Sequence, residues 1–170
     1  MDFYAHSSSD RTKQDWQLLK THLQNVGSLA GTRSSQFNAE QWGLVAGLLH
    51  DLGKYSEAFQ QRLNGSERRA DHSTAGAKIV IEYLRSCQGE QWGLIAKLLA
   101  FVIAGHHAGL ANGVDDGHER STLKQRLGAA FGADIPELDQ VWKTEVQLPH
   151  GLAVPQIKLQ AHQKNNNAIS

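Results

Sequence analysis

Apolar residues recur along the chain at spacings of three and four, and no stretch shows convincing alternation, so the pattern predicts helices and no strand. Trp16, Leu19, Leu23, Val26 and Ala30 make the first buried stripe. Ser9 or Asp10 is placed to cap that helix, Gly31 to end it, and residues 32–38 read as a loop. A second helix is expected over residues 39–52, burying Trp42, Val45, Leu48, Leu49 and Leu52. A shorter piece over residues 55–63 carries Phe59 and Leu63 and stops at Asn64-Gly65. The polar loop from Ser66 to Ser73 leads into a third helix over residues 74–85. The fourth, residues 91–105, is apolar nearly all round, which predicts a central position. Residues 119–131 read as another helix and 138–142 as a short one. The expected fold is all-α, a compact orthogonal bundle of about five or six helices. One domain is expected over residues 1–150, with a poorly ordered tail over 151–170.

Seventeen basic residues balance seventeen acidic ones, so no global charge draws the chain to nucleic acid. Any such binding must come from a local patch or a metal site. The single cysteine, Cys87, excludes an intramolecular disulfide and a cysteine-based metal site, and suits a cytoplasmic location. The N-terminus has no signal-peptide pattern, and the apolar run from Leu94 to Ala104 is broken by Lys97 and too short to span a bilayer. No phosphate-binding loop of the ATPase type is present.

Nine histidines change the picture. The stretch Leu48-Leu49-His50-Asp51-Leu52-Gly53-Lys54 ends an apolar helical run with a histidine and an aspartate side by side. The two lie about a hundred degrees apart on a helix, so both can lean toward one point near its end. His22 falls beside the first stripe, His72 stands just before the third helix, and His106 and His107 end the most apolar helix. Burying imidazoles without partners costs free energy. Nitrogen and oxygen donors without sulfur suit manganese, iron, cobalt, nickel or zinc. Five histidines and one carboxylate exceed what one ion needs, and two ions bridged by Asp51 would use them economically. Paired ions of this kind recur in enzymes that cleave phosphate esters. Arg68 and Arg69 are two cations in the loop before His72, either a solvated turn or a phosphate contact.

These motifs resemble the HD superfamily of metal-dependent phosphohydrolases and, more closely, the HD nuclease domain of type I CRISPR interference. The resemblance rests on Trp16, Leu19 and His22-Leu23, on LLHDLGK over 48–54, on Asp71-His72-Ser73 and on GHHAGL over 105–110. It extends weakly through Ser121-Thr122-Leu123 and Arg126-Leu127. It implies that His22, His50 and Asp51 hold one ion, and that Asp51 bridges to a second held by His72, His106 and His107. Lys54 would stabilise the scissile phosphate, unless it is an ordinary helix-end lysine. His6 is a candidate neighbour of the site, while His118, His150 and His162 match nothing. The implied activity is hydrolysis of single-stranded DNA, with a CRISPR surveillance complex and a helicase subunit or domain as partners. Two alternatives are a nucleotide phosphohydrolase or cyclic-nucleotide phosphodiesterase, and a non-catalytic metal-binding module that docks on a helicase. The family pattern also has a late aspartate for the first ion. Nothing after His150 supplies one, which leads to the expectation that the last helices are missing and that the two ions bind unequally; the alternative is a substitute ligand, Asp115 or Asp116.

Overall fold

The computed structural model describes residues 2–10, 12–107, 109, 112 and 122–154. Among these the architecture is an all-α bundle, as the periodicity predicts. Its helices are α1 (Leu19–Ser34), α2 (Glu40–Leu49), α3 (Glu57–Leu63), α4 (Ser73–Gln88), α5 (Gly93–Gly105), α6 (Leu123–Gly128) and α7 (Trp142–Glu145). A 3-10 turn over Leu52–Tyr55 joins α2 to α3. One small antiparallel sheet pairs β1 (Tyr4–His6) with β2 (Gln17–Leu18).

The first helix starts later than its apolar stripe suggests. Asp10 does act as a local cap, but of a turn: its carboxylate accepts from the Thr12 N–H at 2.8 Å and from the Thr12 hydroxyl at 2.6 Å. Lys13 takes a left-handed conformation with φ 65°. The chain is thereby turned back so that residues 17–18 pair with β1, and α1 begins only at Leu19, whose N–H donates to Phe3 O at 2.8 Å. Trp16 keeps its place in the core from the loop. The helix also runs past Gly31 to Ser34. Gly31 is there for packing: a Cβ on it would stand 3.2 Å from Glu40 O. The same logic governs the crossing of α1 and α2, where a Cβ on Gly47 would lie 2.6 Å from the Cα of Gly27. Two backbones approach that closely only without side chains.

The core gathers Leu19 and Leu23 of α1, Val45, Leu48 and Leu49 of α2, Val80 and Leu84 of α4, and Ile103 of α5. Each buried leucine or isoleucine of this set contributes on the order of 2–5 kcal/mol against truncation to alanine. The expectation of a wholly central fourth helix is corrected. Residues Leu94, Leu98 and Val102 of α5 are 72%, 52% and 53% exposed, because neighbouring helices cover only its other face. The predicted helix over 138–142 is displaced to α7. Residues 151–154 are held against the bundle: Leu152 is buried, its N–H donates to Gln88 Oε1 at 2.7 Å, and its carbonyl accepts from Gln88 Nε2 at 2.7 Å. Among the described residues no helix is long and apolar enough to cross a membrane.

Candidate metal centre

The chain brings His22, His50, Asp51, His72, His106 and His107 together from four segments. His22 comes from the first turn of α1. His50 and Asp51 follow the last residue of α2. His72 directly precedes α4, and His106-His107 directly follow α5. Helix ends suit this task, because a short ligand there reaches the centre without threading the apolar core.

Gly53 docks two of these segments. Its N–H donates to His72 O at 3.0 Å, and a Cβ at this position would collide with the His72 backbone. The glycine of the HDLGK stretch thus places His72 against Asp51. A second tie is made by Arg126 on α6. Its guanidinium donates to Ser73 Oγ at 2.5 Å, Thr74 Oγ1 at 2.9 Å and Ala104 O at 2.6 Å. One side chain therefore joins the start of α4, beside His72, to the end of α5, beside His106. Asp71 completes the clasp by accepting from the Ser73 and Thr74 N–H groups, each at 3.0 Å, and from the Thr74 hydroxyl at 2.6 Å.

Asp51 is 3% exposed and sits at the middle of the cluster. Its Oδ2 is 3.2 Å from His22 Nε2 and 3.2 Å from His50 Nε2, and those two nitrogens are 3.2 Å apart. Its Oδ1 is 3.3 Å from His106 Nε2, 3.5 Å from His72 Nε2 and 4.0 Å from His107 Nε2. Donors each about 2.1 Å from one ion lie roughly 3.0–3.4 Å from one another, so the first triangle has the edge of a coordination shell. Two nitrogens face each other there, an arrangement that a shared cation satisfies better than a shared proton.

The imidazoles are set for this. His50 Nδ1 donates to Gly47 O at 2.7 Å, and His106 Nδ1 donates to Ile103 O at 2.7 Å. A carbonyl can only accept, so both rings carry their proton on Nδ1 and present the Nε2 lone pair inward. Buried Asp51 Oδ1 and His72 Nε2 have no hydrogen-bond partner. Orphaned buried polar atoms are rare in folded proteins and call for a cause. A divalent cation of the nitrogen- and oxygen-loving class fits the atoms present.

Charge at the centre is arranged to the same end. Burial alone would push the Asp51 carboxyl up, but the imidazoles of His106, His22 and His50 packed around its oxygens hold it well below the usual carboxylate range. Burial pushes the His72 imidazole down to about 4, with Asp51 opposing and Lys54 and His107 adding to the depression. His72 is therefore neutral, a ligand state, at ordinary pH. Lys54 is 3% exposed, which rules out the ordinary helix-end lysine. Its Nζ lies 2.8 Å from Asp51 Oδ2, donates to Ala5 O at 3.0 Å and stands 5.1 Å from the centre of the Phe59 ring.

A family model for the HD domain of Cas3 matches residues 5–164. The chain belongs to the Cas3 HD-domain family. No curated protein matches it. The family is one of metal-dependent HD-type nucleases from type I CRISPR systems, and the cluster described above is able to hold a metal in this Cas3 HD domain.

Other predicted positions fall outside the cluster. Arg68 is exposed and its backbone N–H donates to Ser66 Oγ at 3.3 Å, whereas Arg69 lines a cleft that opens from the centre. His6 stacks edge-on against His22 with ring centres 5.0 Å apart and lines the same cleft. His150 is exposed. Asp134 and Asp139 are turn residues, accepting from the N–H groups of Ala130 and Val141. Asp115, Asp116, His118 and His162 lie outside the described residues. Arg62 and Arg126 escape sequence reasoning as functional candidates. The only sequence cue for Arg62 is its spacing of three from Phe59 on one helix flank.

Proposed function

We propose that this HD domain hydrolyses phosphodiester bonds of single-stranded DNA during CRISPR interference, using two divalent transition-metal ions bridged by Asp51. The observation that carries the reading is the split of one buried carboxylate: Oδ2 faces His22 and His50, and Oδ1 faces His72, His106 and His107. His22, His50 and Asp51 would hold one ion, and Asp51, His72, His106 and His107 the other. Manganese, cobalt, nickel, iron or zinc suits these donors. Such ions, when bound, supply charge for the phosphate oxygens and lower the pKa of a water enough to make it a nucleophile at neutral pH.

The chain's own groups do the rest. Nδ1–H bonds to backbone carbonyls fix the orientation of His50 and His106, so little reorganisation is needed on binding. Lys54 neutralises Asp51 and lines the cleft, where its ammonium adds positive charge beside the phosphate as charge develops. A helicase subunit or domain delivers unwound DNA, with the surveillance complex upstream, and the reaction takes place in the cytoplasm. The test is cleavage of single-stranded DNA, double-stranded DNA and mononucleotides with manganese and with chelator. Metal-dependent cutting of the single strand supports the reading. Robust hydrolysis of free nucleotides with no cleavage of DNA would establish the nucleotide-hydrolase alternative instead.

A further inference from the structure

The cleft that opens from the metal centre has a volume of about 720 Å³. That lies within the range of ligand clefts, roughly 300–1,000 Å³. Its inner end is made by His72, His107 and Lys54, and its outer walls by β1 and by α3 with the loop that follows. Two arginines stand on the outer part, Arg62 of α3 and Arg69 of the loop. Both are exposed, and neither guanidinium has a hydrogen bond or ion pair among the described residues. The one carboxylate among the lining residues, Asp71, is engaged by the Ser73 and Thr74 N–H groups at the start of α4.

We propose that this cleft guides one nucleic-acid strand into the metal centre, with Arg62 and Arg69 holding successive backbone phosphates. The proposal rests on the nuclease reading above and names the path of its substrate. The chain has no net charge, so two unpaired guanidiniums converging on the mouth of the centre concentrate positive charge locally. Arginine offers phosphate a planar fork of donors. Leu63 also borders a second hollow of about 440 Å³, lined by Ser8, Trp16 and Asn64. Arg69 thereby has a defined role that its neighbour Arg68 lacks.

The test uses the full manganese-loaded chain and a mixed-sequence single-stranded oligodeoxynucleotide, with cleavage kinetics followed across a salt series. Arg62→Glu and Arg69→Glu should each raise KM about tenfold or more, a larger change than in kcat. The slope of log(1/KM) against log salt should shrink by about 0.7 for each phosphate that is no longer held. Arg62→Lys should restore most of the slope. Arg85→Glu is the control for bulk charge: Arg85 lies at the far end of α4, thirteen residues beyond His72 and so roughly 20 Å away along the helix. It should leave the slope unchanged. Manganese stoichiometry and the thermal midpoint report that each variant is folded, as expected for exposed residues. Wild-type KM and slope in both arginine variants would overturn the cleft assignment while leaving the nuclease reading intact. An equal loss of slope in Arg85→Glu would show diffuse attraction and also overturn it. A wild-type chain that cuts no DNA would remove the nuclease reading and the strand path with it.

Discussion

Asp51 Oδ1 and His72 Nε2 face each other across 3.5 Å, both buried and both without a hydrogen-bond partner. A carboxylate and an imidazole that stabilised each other as a pair would close to hydrogen-bond distance. Their separation is that of two donors turned toward a common ion, and it makes Asp51 the element shared by both halves of the centre.

Asp51→Ala should therefore do more damage than any single histidine change. It removes a donor from each group, together with the negative charge that would hold two cations close. Metal analysis and cleavage rates on Asp51→Ala, His22→Ala and His106→Ala decide it. If Asp51→Ala keeps metal and activity while His106→Ala loses them, Asp51 is not the bridge.

Lys54→Ala should separate stability from metal binding. Removing one partner of a buried ion pair costs about 3–5 kcal/mol, and here the orphan is Asp51. In chelator the thermal midpoint should fall. Manganese should restore most of it by supplying positive charge to the same carboxylate, while the rate of cleavage stays down by roughly 10²–10³-fold. A variant that no longer binds manganese would show that Lys54 holds the site together and is not a group acting on the phosphate.

The metal-free protein should weaken as acid is added through one defined window. His72 is held at about 4 in the folded chain against 6.5 when unfolded. Between those values the unfolded chain takes up a proton that the folded one refuses, so stability is full above pH 6.5 and declines as pH falls toward 4. The contribution amounts to about 3 kcal/mol. Asp51, kept well below the usual carboxylate range, retains its charge throughout. Denaturant unfolding in chelator at stepped pH measures the slope, and His72→Gln should flatten it.

The two halves of the centre should bind unequally. Asp51, His72, His106 and His107 offer four donors, whereas His22, His50 and Asp51 offer three among the described residues. Manganese titration followed by calorimetry should resolve one tight and one weak site. Two sites of equal affinity would mean that the three-donor group gains a further protein ligand.

Arg126→Ala should reach the metal through the fold. It deletes the hydrogen bonds that join the start of α4 to the end of α5, costing on the order of 2–4 kcal/mol in stability. Because those ends carry His72 and His106, the four-donor site should lose more manganese affinity than the three-donor site. Titration of the variant against wild type checks this. Uniform weakening of both would reduce Arg126 to a general stabiliser.

The sequence by itself determined what depends on near neighbours. The spacing of Leu48, Leu49 and Leu52 marks a buried face, and the position of His50-Asp51 at its end follows from helical period alone. The donor chemistry was legible because imidazole and carboxylate carry it wherever they stand. Tertiary structure decided what depends on docking. Nothing local tells that Gly53 lets His72 reach Asp51, or that Arg126 ties α4 to α5 across about fifty residues of chain. Lys54 looks like a solvated helix-end cation until β1 supplies Ala5 O and covers it. The apolar stripe of Leu94, Leu98 and Val102 reads as core, because hydrophobic period reports a face and not whether anything packs on it. Arg62 acquires its setting only when α3 and β1 form the two walls of one cleft, a relation between residues more than fifty positions apart that local sequence pattern does not encode.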